Sequence, residues 1–391
     1  MSDLDWTTLQ SRWSFPTLVW FGAGRLAELP AALAELGVTK PLLITDRGLA
    51  GAGIIANAQA ALEAAGLAHG LFSDVQPNPT SDNVAAGVAA LTAGGYDGVI
   101  AMGGGSAMDA AKAVAMMVGQ DRPIMDFEDI GDNWRRVDTG GMLPVVAVPT
   151  TAGTGSEFGR SSVITDPVEH RKAIIFHPAM LPGLVILDPE VTVGLPAGLT
   201  AATGMDALSH AMEALCAPGW HPMADGLALT ALKMIRDALP VAVAEPANLE
   251  ARANMLVASA MACTALQKGL GAVHALAHPL GARYDAHHGM LNAVLMPHVL
   301  RFNLPAVAPQ MRTLAHWLEL EGAEPGAAVL AWLEGLSQGI GMPATLGGMG
   351  LEIAAEDEPA LIRDALRDPC AGGNPVTLTE AGLREILAAA R

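Results

Sequence analysis

Aromatic side chains are scarce in this chain of 391 residues, since Phe, Trp and Tyr together make up only 4% of it. Positive charge is scarce too, with 22 Lys and Arg against 40 Asp and Glu, so the formal net charge is −18. An acidic protein is a poor partner for nucleic acid, whose phosphates need a basic surface, or for an anionic membrane surface. We therefore expect neither partner.

Cysteine is equally rare. The chain has three, Cys216, Cys263 and Cys370, an odd number and far apart, so we expect reduced and buried thiols. No window approaches the ~18 uninterrupted apolar residues of a membrane span. The stretch 1–15, MSDLDWTTLQSRWSF, has acids near its start and lacks the apolar core of a signal peptide. Together these features predict a cytoplasmic protein without a membrane span.

Small and aliphatic residues take the place of the missing aromatics. Hydrophobic residues make up 51% of the chain and charged residues 16%, and Ala and Leu, the best helix formers, are abundant. The composition therefore favours many close-packed helices. The length exceeds that of a typical single core and favours two domains.

The two halves of the chain differ in pattern. Short apolar runs at 40–46, 96–105, 143–151 and 183–190 alternate with helix-like stretches such as SDNVAAGVAALTAGG. This alternation is typical of βαβ units around a parallel sheet buried on both faces. After VGLPAGLT (193–200) the strand signals fade and helical periodicity takes over. We therefore predict an α/β domain over 1–195 and an all-helical domain over 196–391.

Two glycine-rich stretches follow predicted strands. In IAMGGGSAMDAAK three glycines precede a helix, for which we expect Ser106 as N-cap and Asp109 in a capping-box arrangement. Alone, this could be a turn without a ligand. The second stretch, VPTTAGTGSE (148–157), makes a dinucleotide site at the carboxyl edge of the sheet the better interpretation. Asp46, at the end of a strand, could bind a ribose diol and repel a 2′-phosphate, or be an ordinary turn residue.

Metal-ligating residue types cluster in the second half. Four of the eleven histidines fall within residues 273–289: His274, His278, His287 and His288. Asp206 and His210 are four apart, as are His274 and His278, so each pair would share one helix face. A carboxylate with up to three imidazoles suits Fe²⁺, Zn²⁺, Mn²⁺ or Co²⁺. Each residue alone is more often structural, and Pro279 disfavours the α conformation at His278.

The motifs together resemble those of the iron-containing (group III) alcohol dehydrogenases over nearly the whole chain. They are GGGSAMDAAK, PTTAGTGSE, NPT (78–80), GMDALSHAMEA and HALAHPLGARYDAHHGMLNAVLMPHV. The resemblance implies a dehydroquinate synthase-like two-domain fold: a Rossmann-like α/β domain with a parallel sheet, an all-α domain, and the active site between them. It also implies a homodimer or larger homo-oligomer.

The resemblance assigns residues to roles. The metal-ligand positions are Asp206, His210, His274 and His288. His287 would be a bystander and His278 a further, catalytic histidine. The positions near the cofactor are Asp46, Asn78, Gly104, Gly105, Ser106, Thr150, Thr151, Thr154 and Lys172. Ser161 stands where some members have an asparagine near the nicotinamide, so we do not count it as a binding residue.

The implied activity is interconversion of a primary alcohol and its aldehyde by a metal-dependent, NAD(H)-linked oxidoreductase, with Fe²⁺ as the metal and Zn²⁺ possible. Asp46 matches an acid that favours NAD over NADP in the family. A hydroxy-acid (4-hydroxybutyrate-like) dehydrogenase is one alternative, in which Arg160, beside Phe158, could bind a carboxylate or simply lie at the surface. Others are a metal-independent, maleylacetate-reductase-like enzyme and an NAD-using metal lyase or cyclase.

Overall fold

The computed structural model describes residues 15, 17–169 and 171–391. Nearly all of the N-terminal stretch considered as a possible signal peptide, residues 1–14, therefore lies outside the described residues. Within them, eight strands form: β1 (Leu18–Phe21), β2 (Pro41–Ile44), β3 (Gly70–Phe72), β4 (Gly98–Gly103), β5 (Val145–Pro149), β6 (Ser161–Asp166), β7 (Arg171–Phe176) and β8 (Leu184–Leu187).

Six of these strands make one parallel sheet in the order β1-β8-β5-β4-β2-β3. Every residue of β2, β4, β5 and β8 is buried, as expected for apolar strands covered by helices on both faces. The predicted parallel sheet and its four apolar strands are confirmed. The two edge strands, β1 and β3, are short and partly exposed, and no apolar run predicted them.

A separate antiparallel hairpin, β6–β7, was also not predicted. It packs against helix α4 (Gly105–Met117), and β7 reaches helix α8 (Ala272–Tyr284). Its strands alternate buried and partly buried residues, a weaker sequence signal than the continuous apolar runs of the main sheet. The hairpin thus connects the sheet region with the helical region.

Helices cover the sheet and fill the second half of the chain. Besides α4 and α8 they are α1 (Leu29–Glu35), α2 (Gly53–Ala64), α3 (Ser81–Gly94), α5 (Ala197–Cys216), α6 (Pro222–Ala244), α7 (Leu249–Ala265), α9 (His288–Asn303), α10 (Ala308–Trp317), α11 (Pro325–Gly339), α12 (Glu358–Arg367) and α13 (Glu380–Ala390). The last strand ends at Leu187 and all described residues from Ala197 onward form helices or connections. The division into two domains at residue 195 stays a prediction.

Helix α5 forms the centre of the helical half. Sixteen of its 20 residues are buried, against α6, α7 and α9. Its approach to α6 depends on Gly204, where an added Cβ would lie 2.2 Å from the Leu239 Cδ1 atom. Polar side chains on such a helix must find partners inside the protein. Three buried side chains of α5 that can carry charge, Asp206, His210 and Glu213, therefore need such partners.

Helix α8 continues through Pro279 to Tyr284. The expectation that Pro279 would keep His278 out of a helix is wrong, because packing of α8 against α9 and α12 outweighs the local preference.

The three cysteines are free and buried, as expected. Among the described residues no single helix is long and apolar enough to cross a membrane. The segments Leu249–Lys268 and Ala272–Tyr284 reach that length and apolarity only as a pair, which is bent by 106°.

Candidate active site

A cavity of about 710 Å³ lies between the carboxyl ends of β2, β4 and β5 and the helices α5, α8 and α9. Its wall includes these predicted cofactor residues: Asp46, Asn78, Gly104, Gly105, Ser106, Thr151, Thr154 and Lys172. It also includes all of the predicted metal-binding and catalytic residues: Asp206, His210, His274, His278 and His288. Thr150 does not line it: this residue is 4% exposed and its N–H donates to the Gly103 carbonyl.

The first glycine loop forms the start of α4. Gly103 has φ 153°, and an added Cβ there would lie 2.6 Å from the Ala107 Cβ atom, so only glycine fits. The N-cap of α4 is Gly104 and makes no side-chain cap. The capping box expected of Ser106 is therefore wrong, because Ser106 lies inside the helix. Gly104, Gly105 and Ser106 line the cavity, so an anion bound there could accept from the uncapped N–H groups of the helix start.

The second glycine loop is held by α4. The Asp109 carboxylate accepts from the Ser156 hydroxyl at 2.5 Å and from the Val163 N–H at 2.9 Å. Lys112, 1% exposed, donates from Nζ to the carbonyls of Ser156 at 2.9 Å and of Ser161. A buried ammonium with carbonyl partners fixes the path of a loop whose own side chains are small. From the sequence, Lys112 was assigned no role.

The other side of the cavity holds three predicted cofactor residues. Asp46 follows β2 and accepts from the Leu49 N–H at 3.0 Å. The Asn78 side chain donates to Asp285 at 2.8 Å across the cavity, and both residues have positive φ, 52° and 49°. Burial lowers the pKa of Lys172, against the attraction of Asp109, Asp285 and Asp206. All line one continuous space.

Arg160, considered above for binding a carboxylate, and the neighbouring Phe158 lie outside the cavity wall. Phe158 is 8% exposed and belongs to the core beneath the sheet. The Arg160 guanidinium lies 5.7 Å above the Phe176 ring, and neither residue lines the cavity. Ser161, which we did not count as a binding residue, does line it. The carboxylate-binding role considered for Arg160 therefore has no support from its position.

The predicted metal ligands converge on one carboxylate oxygen. Nε2 of His210, His274 and His288 lies 3.7, 3.9 and 3.5 Å from Asp206 Oδ1. Ligand atoms of Asp206, His210 and His274 all lie within 4.8 Å of one another. His288 joins this set through its contact with Asp206. His287, exposed and preceding α9, is not in the set.

These separations fit a divalent ion. Around an ion with metal–ligand distances of about 2.1 Å, ligands of a tetrahedral site lie about 3.4 Å apart. The 3.5–3.9 Å between Asp206 Oδ1 and the imidazole nitrogens is close to this spacing and too long for hydrogen bonds. Burial lowers the pKa of His210 to about 4 and that of His288 well below its usual value, so both rings are neutral and able to bind a metal.

Two further side chains support this set. Glu213 Oε2 contacts Nδ1 of His274 at 2.5 Å, and Glu213 Oε1 accepts from the Val273 N–H at 2.7 Å. The Asn292 amide donates from Nδ2 to Asp206 Oδ1 at 2.7 Å, and Nδ2 lies 3.3 and 3.2 Å from Nε2 of His274 and His288. The buried Asn292 Oδ1 has no hydrogen-bond partner among the described residues. The centre is thus more polar than the protein alone can satisfy.

Sequence reasoning missed both supporting residues. Glu213 carried a signal, since it follows Asp206 by seven residues and His210 by three on one helix face. Asn292 lies four residues after His288, again on one face. Such spacing shows only that a side chain faces the ligands, and the contact itself is visible only in the fold.

His278 lies beside the ligand set and outside it. Its ring centroid is 5.8 Å from that of His274 and 5.6 Å from that of His288, with the His288 ring nearly parallel. Its Nδ1 contacts Asp368 Oδ2 at 2.7 Å. The structure therefore places a paired imidazole in the cavity wall next to the metal-ligand residues.

This combination of sheet, glycine loops and carboxylate–histidine cluster defines a metal- and dinucleotide-binding class of protein. Residues 16–189 match the family model described as iron-containing alcohol dehydrogenase, and residues 200–391 match the C-terminal model of the Fe-containing alcohol dehydrogenase family. The chain belongs to the iron-containing alcohol dehydrogenase family.

Its relatives resemble it over nearly the whole length. A 4-hydroxybutyrate dehydrogenase of Cupriavidus necator is 38% identical, over 93% of this chain and 95% of that protein. An NAD-dependent methanol dehydrogenase of Bacillus methanolicus is 36% identical, over 94% and 96%. The crystal structure of a 1,3-propanediol oxidoreductase superposes with a TM-score of 0.92 at 34% identity, covering 97% of this chain and 100% of that one.

Proposed function

We propose that the protein interconverts a primary alcohol and its aldehyde by hydride transfer to and from NAD(H), with a divalent metal. The observation that carries this proposal is the set of three imidazole nitrogens around Asp206 Oδ1, in the same cavity as two glycine loops. A carboxylate–histidine set suits Fe²⁺ or Zn²⁺. We propose Fe²⁺ because of the family.

The proposed metal ligands, Glu213 and the glycine loops would each have a separate role in this reaction. Asp206, His210, His274 and His288 would hold an ion that acts as a Lewis acid toward the substrate oxygen, while NAD accepts the hydride. Glu213 holds the His274 ring so that Nε2 faces Asp206. The uncapped start of α4, at Gly104 and Gly105, would hold the pyrophosphate through backbone N–H groups, while Gly155 lets the second loop pack closely against Cys263 of α7.

Several site assignments are part of the same proposal. The cofactor contacts would come from Asp46, Asn78, Gly104, Gly105, Ser106, Thr151, Thr154 and Lys172, with Thr150 supporting the loop through its backbone. We assign the α/β domain to 1–195 and the helical domain to 196–391. A homo-oligomer agrees with the family, and three buried reduced cysteines suit a reducing compartment such as the cytoplasm.

We propose an uncharged, short alcohol as substrate. The cationic residues of the cavity wall are Arg47, Lys112 and Lys172 among the described residues. Arg47 pairs with Asp74 and follows the proposed NAD-selecting residue Asp46, and Lys112 is bound to loop carbonyls. The third, Lys172, is assigned above to the cofactor, so no Lys or Arg of the described cavity wall remains to bind a substrate carboxylate. A hydroxy acid is the second candidate, favoured by the 38% identity to a 4-hydroxybutyrate dehydrogenase.

The test compares wild type, His274→Ala and the control His316→Ala, whose histidine is exposed on α10. Metal content is measured on protein purified without added metal, and NADH consumption with short aldehydes and with ω-aldehyde acids. We expect about one Fe or Zn per chain in wild type and in His316→Ala, with loss of metal and activity in His274→Ala. Metal-free, active protein would contradict the proposal, and metal-dependent turnover without net NADH change would indicate a lyase or cyclase.

A further inference from the structure

Among the described residues, a second cluster of metal- and proton-binding residue types consists of His278, Asp368 and Cys370, of which His278 and Cys370 line the cavity. Asp368 lies immediately after α12, 90 residues from His278 in sequence. Asp368 lies in none of the sequence motifs described above. Its contact with His278 could therefore be found only from the three-dimensional structure.

The hydrogen-bond partners decide the role of each atom. Burial opposes ionisation of Asp368, but His278 and the Cys370 backbone N–H outweigh it and hold the pKa of this carboxyl below its usual value. An ionised carboxylate only accepts hydrogen bonds, so the 2.7 Å contact requires the proton on His278 Nδ1. In the imidazole tautomer with the proton on Nδ1, the lone pair lies on Nε2.

The position of the ring gives that lone pair a use. Nε2 of His278 makes no hydrogen bond to any described residue, and the side chain lines the cavity. The ring lies against His288, one of the proposed metal ligands, with centroids 5.6 Å apart and planes 14° apart. Asp368 itself is fixed, because its second oxygen accepts from the Cys370 N–H at 2.8 Å.

We propose that Asp368 is a positioning residue that fixes the Nδ1–H tautomer and the ring orientation of His278, so that Nε2 accepts the alcohol proton. This inference rests on the proposed function. In oxidation the alcohol O–H bond breaks and its proton goes to Nε2, while the carbon-bound hydride goes to NAD⁺, giving aldehyde and NADH. The imidazolium, held by the Asp368 carboxylate, then releases the proton to solvent; reduction runs these steps in reverse.

The test is a double-mutant cycle on metal-loaded enzyme with Asp368→Asn, His278→Ala and the double variant. The amide introduced by Asp368→Asn can donate to Nδ1 and so favours the opposite tautomer. We expect kcat of Asp368→Asn to fall about 100-fold, near the lower limit for loss of general acid–base catalysis. Metal content, the NADH dissociation constant and KM should stay within about threefold of wild type, since Asp368 contacts none of the proposed ligands.

In the His278→Ala background the same Asp368→Asn change should lower kcat less than about twofold, because residues that act as a unit are not additive. Asp368→Glu keeps the carboxylate and should recover part of the rate lost in Asp368→Asn. The control is Asp364→Asn, one helix turn earlier with a partly exposed side chain paired to Arg363, which should leave kcat unchanged.

Two results would overturn the inference: an unchanged kcat in Asp368→Asn, or an equal loss with and without His278. If Asp368→Asn loses its metal or has a lowered melting temperature, Asp368→Glu replaces it in the cycle. The loss of kcat caused by Asp368→Glu is then compared between the wild-type and His278→Ala backgrounds. Failure of the proposed function looks different, since wild type itself would then turn over no alcohol with NAD⁺. A defect in His278→Ala without one in Asp368→Asn contradicts only the role of Asp368.

Discussion

Replacing Glu213 by Gln should weaken metal binding without disturbing the fold. Glu213 is 6% exposed, its Oε2 contacts His274 Nδ1 at 2.5 Å and its Oε1 accepts from the Val273 N–H at 2.7 Å. His274 can offer Nε2 to an ion only when Nδ1 carries the proton, and Glu213 is the acceptor for that proton. Gln is nearly the same shape but has only one acceptor oxygen for these two contacts, so the change removes the charge and turns an NH2 group toward either His274 Nδ1 or the Val273 N–H.

The magnitude follows from this geometry. Charge-assisted hydrogen bonds are about twice as strong as neutral ones, and partners of this kind change metal affinity by about 10–100-fold. Such a change corresponds to roughly 1.4–2.7 kcal/mol of binding free energy. Glu213→Ala should cost more, because it also leaves the buried Val273 N–H without its acceptor.

The assay is the dissociation constant of Fe²⁺ or Zn²⁺ for metal-stripped protein, measured by competition with a chelator of known affinity. The control is Glu334→Gln, whose carboxylate pairs with Arg301 at 2.8 Å on the surface, where both side chains are about half exposed. It should bind metal like wild type. Equal metal affinity for Glu213→Gln and Glu334→Gln would refute our reasoning.

Three other perturbations test further parts of the structure. Gly289→Ala would place a Cβ 2.3 Å from the Ala202 carbonyl oxygen and push α9 away from α5. We therefore expect lower metal content and a loss of about 1–3 kcal/mol in the free energy of unfolding. The control Gly335→Ala, at an exposed position of α11, should instead raise stability slightly. Burial raises the pKa of Glu157 from 4.5 to about 7, so the folded state retains a proton that the unfolded chain releases, and stability should fall by up to about 3 kcal/mol as pH rises from 4.5 to 7. Glu157→Gln should remove this decline. If the melting temperature falls by the same amount between pH 5 and pH 8 in wild type and in Glu157→Gln, the prediction is contradicted. Asp46→Ser should raise kcat/KM for NADPH relative to NADH at least about tenfold, since unit charges about 4 Å apart near a surface repel by about 4 kcal/mol; an unchanged ratio would remove Asp46 from cofactor selection.

The sequence predicted what local pattern determines. Strands β2, β4, β5 and β8 are continuous apolar runs because helices cover both faces of the sheet. Strands β1 and β3 were missed because short edge strands carry only a partly buried pattern. The Ser106 cap and the doubt over Pro279 were local rules that tertiary contacts overrode. In each case neighbouring elements determined the outcome, and a sequence window does not contain them.

The candidate site shows the same limit. Asp206 with His210, and His274 with His278, could be paired by spacing, since each pair lies within one helix turn. Three contacts could not be predicted, because their partners are far apart in sequence: Lys112 with the Ser156 and Ser161 carbonyls, Glu213 with His274, and Asp368 with His278. Residues that bind a ligand can therefore be suggested by motifs, whereas residues that hold them in place emerge from the fold.

The proposed metal ligands come from three helices, α5, α8 and α9, and span residues 206 to 288, a separation of 82 residues (288 − 206). A bound ion is thus a reversible cross-link between distant parts of the chain, comparable in span to a long-range disulfide. Unlike a disulfide, its contribution depends on supply: an ion at about 1,000 times its dissociation constant adds about 4 kcal/mol to stability, and none when it is absent. The lifetime of the folded enzyme in a cell would then follow the concentration of free metal.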